Sequence, residues 1–542
     1  MVVAQFPVAA VHEAIAATRP DQLCIAHGAR RLTWQQVTER TRRLANHLLG
    51  EGLGCDVERS ALESHESGQH HLAVYLHNGV EYLESMLGSF KARVAPFNVN
   101  YRYVAEELQY LLADARAAAV VVHSQFTPTL ADVLPELPLL RVILQVPDAS
   151  GLPLLPGAVW YEDALAAASP AKPSVQWSPD DLYILYTGGT TGMPKGVLWR
   201  NGDANVECFG GSRAETIDDV LAEATGALRA LLAPPFMHGA GHWMCFRTWN
   251  NGGSVFIQDH PEHLDPHDIW STVEREQLNF LLIVGDAFAR PLLDQLEHTS
   301  YDLSSLTVLL SGGAALSAPL KEEFLRHLPT MMIVDGLGSS EAGGQVSHVS
   351  AGAGATTGTF PLGPGNHVLS AELDRVLEPG DPELGWLSKS GGLALGYLGD
   401  PDKTARTYPV IDGVRYAVPG DRARLRSDGV AELHGRDSAT INSGGEKIFA
   451  EEVEAAVKTH PAVYDCVVAG RPSEKWGTEV VAIVRLREGH EATVADLRNA
   501  AEQHIARFKL PKTVVFVREI VRSPAGKADY RWAKQVAADS PA

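Results

Sequence analysis

Apolar residues recur along the first part of the chain with two different spacings, and each spacing predicts its own kind of element. Helical spacing covers residues 8–18, 40–49 and 78–92. Short, continuous apolar runs predict buried strands over residues 72–76, 120–123, 142–145 and 181–186. Because such strands and helices alternate, we predict an α/β fold with doubly wound sheets.

The pattern changes further along the chain. Two apolar runs, residues 306–310 and 331–334, each pass into a glycine-rich tail, and we expect both tails to leave the carboxyl end of a strand, where open α/β sheets bind ligands. Residues 363–435 contain short apolar runs broken by Gly, Pro and Asp, which predicts a small antiparallel β subdomain. We predict a large N-terminal domain, residues 1–436, and a small, mobile α+β C-terminal domain, residues 437–542.

Composition narrows the class of protein. The 542 residues suffice for more than one domain. A formal charge of 46 − 66 = −20 argues against nucleic acid and anionic membranes as partners. The five cysteines are scattered and form no CxxC pair, which favours a reduced protein without a zinc site. No apolar run has the length of a membrane span, and the N-terminal residues lack the basic start and long apolar core of a signal peptide, so we expect a cytoplasmic protein without an integral membrane segment.

One loop carries the first candidate chemistry. The string Tyr186-Thr-Gly-Gly-Thr-Thr-Gly-Met-Pro-Lys-Gly-Val197 follows a predicted strand. Its glycines let backbone N–H groups turn toward a ligand, its threonines add hydroxyl donors, and its lysine adds a mobile positive charge. The mixture suits a polyphosphate, although a glycine-rich hairpin without a ligand remains the alternative for the loop taken alone. The candidate phosphate-binding residues are Thr187, Gly188, Gly189, Thr190, Thr191 and Lys195.

The loop differs from a Walker A loop, because Pro194 precedes Lys195 and Gly196 follows it, and both argue against a helix starting there. The whole string resembles the phosphate loop of the acyl-adenylate-forming superfamily, which contains acyl-CoA synthetases, luciferases and peptide-synthetase adenylation domains. The family usually has Ser where this chain has Gly188. The resemblance runs from about residue 10 to about residue 535, and the strings 441–447 and 523–534 look most like actinobacterial fatty-acid and steroid side-chain CoA ligases.

The resemblance implies a nucleotide site. Ser311-Gly-Gly-Ala-Ala315 is similar to the adenine-binding stretch of the family, and residues 335–341 are similar to a motif whose final acid, Glu341, would hold Mg²⁺. Leu337 stands where the family commonly stacks a Tyr on adenine. The adenine and ribose contacts implied in this way are Gly312, Gly313, Ala314, Asp335, Gly336, Leu337, Gly338, Ser339, Ser340, Asp421 and Arg436.

The resemblance also implies a catalytic group and a mobile domain. His238 would lie against the carboxylate site, and Lys527 would reach the α-phosphate. Asp437 and Ser438 fall at the hinge of the family, and Gly444 and Gly445 would flank the pantetheine arm of CoA. The implied activity is an ATP-dependent acyl-CoA synthetase (an AMP-forming acid–thiol ligase) with Mg²⁺ as cofactor and ATP and CoA as co-substrates. Its substrate would be a hydrophobic carboxylic acid, either a medium- or long-chain fatty acid or a steroid side-chain acid.

Three other functions remain open. The chain could be an acyl-AMP ligase that delivers to a carrier protein, or a nucleotide-binding homologue without catalysis. A peptide-synthetase-like adenylation enzyme needs an acid for the substrate amino group; the sequence shows no clear acid for this role, although a case can be made for Asp286. The oligomeric state also stays open, with a homodimer among the alternatives.

The stretch from residue 58 to residue 70 interrupts the family pattern. It is polar and without a period, and we interpret it as an insertion that forms a tolerated surface loop. Three histidines, His65, His70 and His71, suggest a metal only weakly, since Ser, Glu and Gln surround them.

Overall fold

The computed structural model describes residues 5–187, 193–352, 355–436, 439–443, 446–473, 477–524 and 526–540. The strands in chain order are β1 (Leu23–His27), β2 (Arg30–Thr33), β3 (His71–Tyr75), β4 (Ala95–Asn98), β5 (Ala117–His123), β6 (Val142–Val146), β7 (Val159–Trp160), β8 (Leu182–Thr187), β9 (Lys195–Arg200), β10 (Arg229–Leu232), β11 (Ser254–Ile257), β12 (Phe280–Ile283), β13 (Val308–Gly312), β14 (Met332–Ser339), β15 (Gly343–Ser350), β16 (Thr359–Pro361), β17 (Asn366–Leu369), β18 (Gly385–Ser390), β19 (Gly396–Tyr397), β20 (Val410–Ile411), β21 (Val414–Ala417), β22 (Asp421–Leu425), β23 (Val430–Arg436), β24 (Thr440–Ser443), β25 (Glu446–Phe449), β26 (Val463–Ser473), β27 (Gly477–Leu486) and β28 (Thr513–Phe516).

The helices alternate with these strands through the larger part of the chain. In chain order they are α1 (Val8–Thr18), α2 (Trp34–Gly50), α3 (Val80–Ala92), α4 (Ala105–Asp114), α5 (Thr127–Val133), α6 (Tyr161–Ala167), α7 (Asn201–Glu207), α8 (Ile217–Glu223), α9 (Gly239–Asn250), α10 (Pro266–Glu276), α11 (Gly285–His298), α12 (Ala318–His327), α13 (Pro401–Thr407), α14 (Ala450–Val457), α15 (Val494–Glu502) and α16 (Tyr530–Asp539). Within the described ranges, no helix has the length and apolar character needed to cross a bilayer.

Two eight-stranded sheets form the large unit and confirm the predicted doubly wound α/β class. Their strand orders are β15-β14-β13-β12-β10-β11-β1-β2 and β19-β9-β8-β4-β3-β5-β6-β7. Neighbouring strands from β14 to β1 in the first sheet, and from β8 to β7 in the second, pair in parallel. The largest core joins side chains of both sheets with those of α1, α2, α3 and α9, so it lies between the sheets.

Local sequence signals explain individual boundaries. Thr33 ends β2 and caps α2, because its side chain accepts a hydrogen bond from the Gln36 backbone while the Gln36 side chain accepts one from the Thr33 backbone. The apolar positions of α2, including Trp34 and Leu44, are buried in the core between the sheets. The N-cap therefore determines where α2 begins, and the apolar spacing determines which of its faces is buried.

The β subdomain and the C-terminal unit also follow the predicted classes. The strands β16, β23, β22, β18, β21 and β20 form an antiparallel sheet, with β17 paired to β18. Beyond it, β26, β27 and β28 form a three-stranded sheet, and buried side chains of this sheet pack with those of α14, α15 and α16. The domain boundary itself stays a prediction, since Asp437 and Ser438 lie outside the described residues.

One local prediction was wrong. The glycine-rich tail after residue 334 was expected to leave the sheet, but β14 continues to Ser339. Its backbone pairs with β13 on one side, as far as Gly312 with Gly336, and with the antiparallel β15 on the other. Two pairing neighbours satisfy the backbone groups of this stretch, which outweighs the low strand propensity of glycine.

The segment of residues 58–70 lies on the surface, as predicted, and none of its residues is buried, but it is hydrogen-bonded to the body of the protein. The Leu182 backbone N–H donates to Gln69 Oε1 at 2.5 Å, and Gln69 Nε2 donates to the Arg93 carbonyl at 2.7 Å. The Gly399 N–H donates to the His65 carbonyl at 2.9 Å. No group of three metal-ligating side chains occurs within the described ranges.

Candidate active site

The ends of the phosphate loop form a β8–β9 hairpin in which Thr187 pairs with Lys195. Lys195 Nζ lies 3.8 Å from Asp114 Oδ1 and 4.0 Å from Asp400 Oδ2. Burial opposes the charge, but a hydrogen bond with Tyr110 and the two carboxylates raise the pKa of Lys195 above its ordinary value. The candidate residues Gly188, Gly189, Thr190 and Thr191 lie outside the described residues.

The two stretches expected to bind adenine lie side by side. Ser311 pairs with Asp335 and Gly312 with Gly336 in the parallel register of β13 and β14. A methyl group on Gly312 would lie 3.3 Å from the Gly336 carbonyl oxygen, so the two backbones approach closely. Leu337, which takes the place of the family's Tyr, packs on the apolar core of the β subdomain.

Asp335 is committed to an ion pair. Its carboxylate accepts from Nζ of Lys321, a fully buried lysine that also donates to the Thr356 carbonyl. Burial raises the pKa of Asp335 despite this pairing. The Asp335 carboxylate is therefore already engaged with a protein cation.

Aromatic residues hold the Glu341 segment. The Tyr397 hydroxyl donates to Glu341 Oε1 at 2.7 Å, and the Trp199 indole N–H donates to the Ser340 carbonyl at 2.8 Å. Tyr408 donates to the Glu341 carbonyl at 3.2 Å, and Lys403 Nζ lies 3.9 Å from the centre of the Tyr397 ring. These hydrogen bonds fix the Glu341 carboxylate, and the Lys403 ammonium lies close to the tyrosine that holds it.

Asp421 and Arg436 face each other across β22 and β23. Arg436 Nε donates to Asp421 Oδ1 at 3.2 Å. The other oxygen, Oδ2, is buried and finds no hydrogen-bond partner within the part of the chain that is described. Because a buried carboxylate oxygen without a partner is unfavourable, this atom is suited to accept a hydrogen bond from a ligand.

Residues from distant parts of the chain surround Lys527. Its Cε would lie 3.7 Å from a methyl group on Gly313. The surrounding protein and the charge of Arg436 lower the pKa of Lys527, whereas Glu341 and Asp421 act in the opposite direction. The small C-terminal unit thus brings its lysine to the adenine-binding stretch expected from the sequence.

His238 is the N-cap residue of α9 and is half-buried. Its Nε2 has no hydrogen-bond partner among the described residues. Burial first, and then the charges of Lys527 and His242, lower the pKa of His238 to about 3. The imidazole is therefore neutral at physiological pH and has a nitrogen available to a ligand.

The Asp286 carboxylate is already bound by other groups of the protein. Its Oδ2 accepts from Lys458 Nζ at 2.9 Å, and its Oδ1 accepts from the Ser317 backbone N–H at 2.7 Å. The carboxylate is thereby paired with a lysine of the small C-terminal unit. This pairing counts against Asp286 as the group that would bind the amino group of an amino-acid substrate.

Several contacts had no counterpart in the sequence predictions. Asp114, Asp400 and Tyr397 surround Lys195 and Glu341 from elements far away in the chain, and no local pattern distinguishes them from ordinary surface residues. The remaining sequence candidates, Gly444 and Gly445, lie outside the described residues, as the hinge pair does.

Two family models together match most of the chain. The family model for AMP-binding enzymes matches residues 12–398, and the model for the C-terminal domain of AMP-binding enzymes matches residues 452–527. The chain therefore belongs to the AMP-binding enzyme family, as the resemblance of its motifs implied.

Similar proteins agree with this assignment. A medium-chain acyl-CoA ligase of Mycobacterium avium, Mig, is 52% identical over 540 residues, covering 98% of each chain. A 3-oxocholest-4-en-26-oate–CoA ligase of Rhodococcus rhodochrous is 39% identical over 538 residues, covering 95% of this chain and 93% of the relative. These relatives confirm the predicted enzyme class, an acyl-CoA ligase.

Solved structures support the fold. ATP-bound MatB from Rhodopseudomonas palustris has a TM-score of 0.81 at 23% identity, covering 98% of this chain and 99% of that chain. The anthranilate CoA ligase AuaEII with anthranoyl-AMP has a TM-score of 0.80 at 20% identity, covering 98% of this chain and 97% of that chain.

Proposed function

We propose that the protein activates a hydrophobic carboxylic acid with ATP, forms an acyl-AMP, and transfers the acyl group to CoA. A medium-chain fatty acid is the first candidate substrate and a steroid side-chain acid the second, in keeping with the relatives at 52% and 39% identity. The observation that carries the proposal is the position of Lys527, which reaches from the small unit to Gly313 within electrostatic range of Glu341 and Asp421.

ATP binds in this proposal along the edge where β13 and β14 end. Thr187, Lys195 and the rest of the loop bind the β- and γ-phosphates, and residues 312–314 and 335–340 contact adenine. The unpartnered oxygen of Asp421 accepts from the ribose hydroxyls, and Arg436 stands beside it. Leu337 packs on the base without aromatic stacking.

Glu341 fits a magnesium ion. One of its carboxylate oxygens accepts from Tyr397, which leaves the other for a cation. Mg²⁺ prefers oxygen ligands and commonly takes one or two carboxylates together with substrate phosphates, so a single protein carboxylate suffices here. When bound, the ion would neutralise charge on the phosphates.

The first half-reaction joins the acid to AMP. A carboxylate oxygen of the substrate attacks the α-phosphorus of ATP, the bond to the β-phosphate oxygen breaks, and pyrophosphate leaves. The Lys527 ammonium stabilises the negative charge that develops on the α-phosphate oxygens. His238 is neutral and lies against the carboxylate site, where its Nε2 orients the acid without adding charge.

The second half-reaction transfers the acyl group. The CoA thiolate attacks the acyl carbon, a thioester forms and AMP leaves with the electron pair of the broken bond. Gly444 and Gly445 flank the pantetheine arm, and rotation about Asp437 and Ser438 removes Lys527 and opens this path. A cytoplasmic location and the oligomeric state stay predictions.

An acyl-CoA synthetase assay tests the proposal. Purified protein receives MgATP, CoA and a panel of short-, medium- and long-chain fatty acids and steroid side-chain acids, and both pyrophosphate and acyl-CoA are measured. We expect both products with at least one apolar acid. Pyrophosphate and acyl-AMP without acyl-CoA would favour delivery to a carrier protein, and the absence of acid-dependent pyrophosphate from every acid would contradict the proposal.

A further inference from the structure

An ion pair crosses from the large unit to the small one at Asp286 and Lys458. We infer that this pair positions Lys527 at the nucleotide and so favours the orientation that forms acyl-AMP. The inference rests on the proposed function and adds two positioning residues to it. Neither residue contacts the reacting atoms in this account.

On the large unit, Asp286 occupies the first turn of α11, just after β12. Its carboxylate is 13% exposed and is held from two sides, by the Ser317 backbone N–H at 2.7 Å and by Lys458 Nζ at 2.9 Å. Burial opposes ionisation, but Lys458 and Ser317 lower the pKa of Asp286. The Asp286 carboxylate is therefore held in one orientation and is paired with a lysine of the small unit.

On the small unit, Lys458 follows α14 and belongs to a chain of charges that leads to Lys527. The carboxylate of Asp465 acts electrostatically on Lys458. It also accepts two hydrogen bonds from Arg522, at 2.7 Å each. Arg522 Nη1 then donates to the Gly526 carbonyl at 3.0 Å, one residue before Lys527.

The turn that carries Lys527 rests on the same stretch of the large unit that carries Asp286. Gly526 has a φ of +68°, and a methyl group built on it would lie 3.1 Å from both the Ala287 Cβ and the Val284 carbonyl oxygen. Residues 284–287 thus contact the small unit twice, through the ion pair and through this close backbone approach. Loss of the ion pair would therefore remove one of the two contacts by which this segment of the large unit holds the small unit and its lysine turn.

The same pair could serve only to stabilise the fold. Replacing both partners of a buried ion pair often changes stability little, whereas removing one partner leaves the other charge buried and unpaired, so the two half-reactions have to be compared. If the pair positions Lys527, removing it should affect the half-reaction that needs Lys527. A structural role would lower both half-reactions together.

The test uses the full-length variants Lys458→Met and Asp286→Asn. Acyl-AMP formation is measured by acid-dependent ATP–pyrophosphate exchange, and acyl transfer is measured separately from preformed acyl-AMP to CoA. We expect kcat of exchange to fall roughly 5- to 150-fold, the usual range for coupling between two sites. The rate of acyl transfer should be retained, and the KM for ATP should change little.

Matched variants control for folding and charge. Lys509→Met breaks a lysine–carboxylate pair of similar length, 2.6 Å to Glu452, that lies within the small unit. It should leave the ratio of the two half-reactions unchanged. Lys458→Arg should restore part of the exchange rate, and the double variant Asp286→Asn with Lys458→Met should be no worse than either single variant.

The outcomes separate this inference from the proposed function. Normal exchange in Lys458→Met, equal losses in both half-reactions, or additive effects in the double variant would overturn the positioning role. The absence of acid-dependent exchange in the wild-type protein would instead contradict the proposed function. A selective loss of exchange, partly restored by Lys458→Arg, supports the inference.

Discussion

Lys195 and Lys527 are proposed to meet the same nucleotide, and they lie in opposite electrostatic surroundings. Lys195 belongs to the β8–β9 hairpin, and its anionic neighbours raise its pKa. Lys527 belongs to a turn of the small unit, where the surrounding protein and Arg436 lower its pKa. The carboxylates near Lys195, Asp114 and Asp400, lie in the same unit as the lysine, whereas the charged groups that act on Lys527 lie in the other unit.

The largest effect that this comparison predicts is that of Lys527→Ala. Because the lysine stabilises charge only while acyl-AMP forms, kcat of acyl-AMP formation should fall roughly 1,000-fold, about 4 kcal/mol. Transfer from preformed acyl-AMP to CoA should continue. Ser438→Pro, which restricts φ at the proposed hinge, should do the reverse and spare acyl-AMP formation. Equal losses of both half-reactions in Lys527→Ala would remove the distinction between the two lysines.

The second largest effect is expected for Glu341→Gln. The rate of acyl-AMP formation should fall roughly 100-fold, about 3 kcal/mol, because the amide is a poor magnesium ligand. The loss should be partly relieved by raising the Mg²⁺ concentration. Tyr397→Phe removes only the hydrogen bond to Glu341 and should cost less, about 1.5 kcal/mol. Near-normal acyl-AMP formation by Glu341→Gln at the Mg²⁺ concentration that just suffices for the wild-type protein would contradict the metal assignment.

Lys195→Met tests the other lysine of the comparison. A lysine that binds the outer phosphates in the ground state should act mainly on substrate binding, so the KM for ATP should rise roughly tenfold while kcat changes less. Steady-state kinetics with ATP as the varied substrate measures both constants. A drop in kcat as large as that of Lys527→Ala, with the KM unchanged, would show that the two lysines share one role.

The sequence predicted the parts of the site that follow a local pattern. Strand β8 is visible as an apolar run that leads into a glycine-rich loop, and the strands before Gly312 and Gly336 are visible as short apolar runs. The continuation of β14 to Ser339 is not visible, because glycines predict a turn and only the pairing with β13 and β15 makes them a strand.

Long-range partners could not be predicted for a similar reason. Asp114 and Asp400 approach Lys195 from α4 and from the residue before α13, and nothing in their own neighbourhood indicates a lysine. Asp286 was considered as a ligand for an amino group, and its actual partner, Lys458, lies 172 residues away. Such pairs depend on topology, which residue spacing alone does not determine.

The hydrogen bonds that anchor the surface segment of residues 58–70 predict a smaller effect, which concerns the stability of the fold. Gln69 forms two hydrogen bonds that tie this segment to β8 and to Arg93. Gln69→Ala should therefore lower the melting temperature by about 2–4 °C, since each bond is worth about 1 kcal/mol. Cutting out residues 58–67 should lower it further, in contrast to a tolerated loop. An unchanged melting temperature in both variants would show that the anchoring contacts are without consequence.

A dependence of stability on pH is also expected. Burial lowers the pKa of His71 and of His242 to about 4. The unfolded chain takes up these protons at about pH 6.5, so stability is full above that value and is lost as the pH falls toward 4. The melting temperature should drop over this window. His71→Gln should make the drop shallower, and an identical pH profile in wild type and variant would contradict a neutral buried His71.

The central claim, that the acid is activated as an acyl-AMP, has one direct measurement. The substrate acid is labelled with heavy oxygen in its carboxylate and incubated with protein, MgATP and CoA, and the nucleotide products are analysed by mass spectrometry. Attack of the carboxylate on the α-phosphorus predicts that the AMP carries one labelled oxygen and the pyrophosphate none. Label in inorganic phosphate, with ADP as the nucleotide product, would contradict the acyl-AMP mechanism.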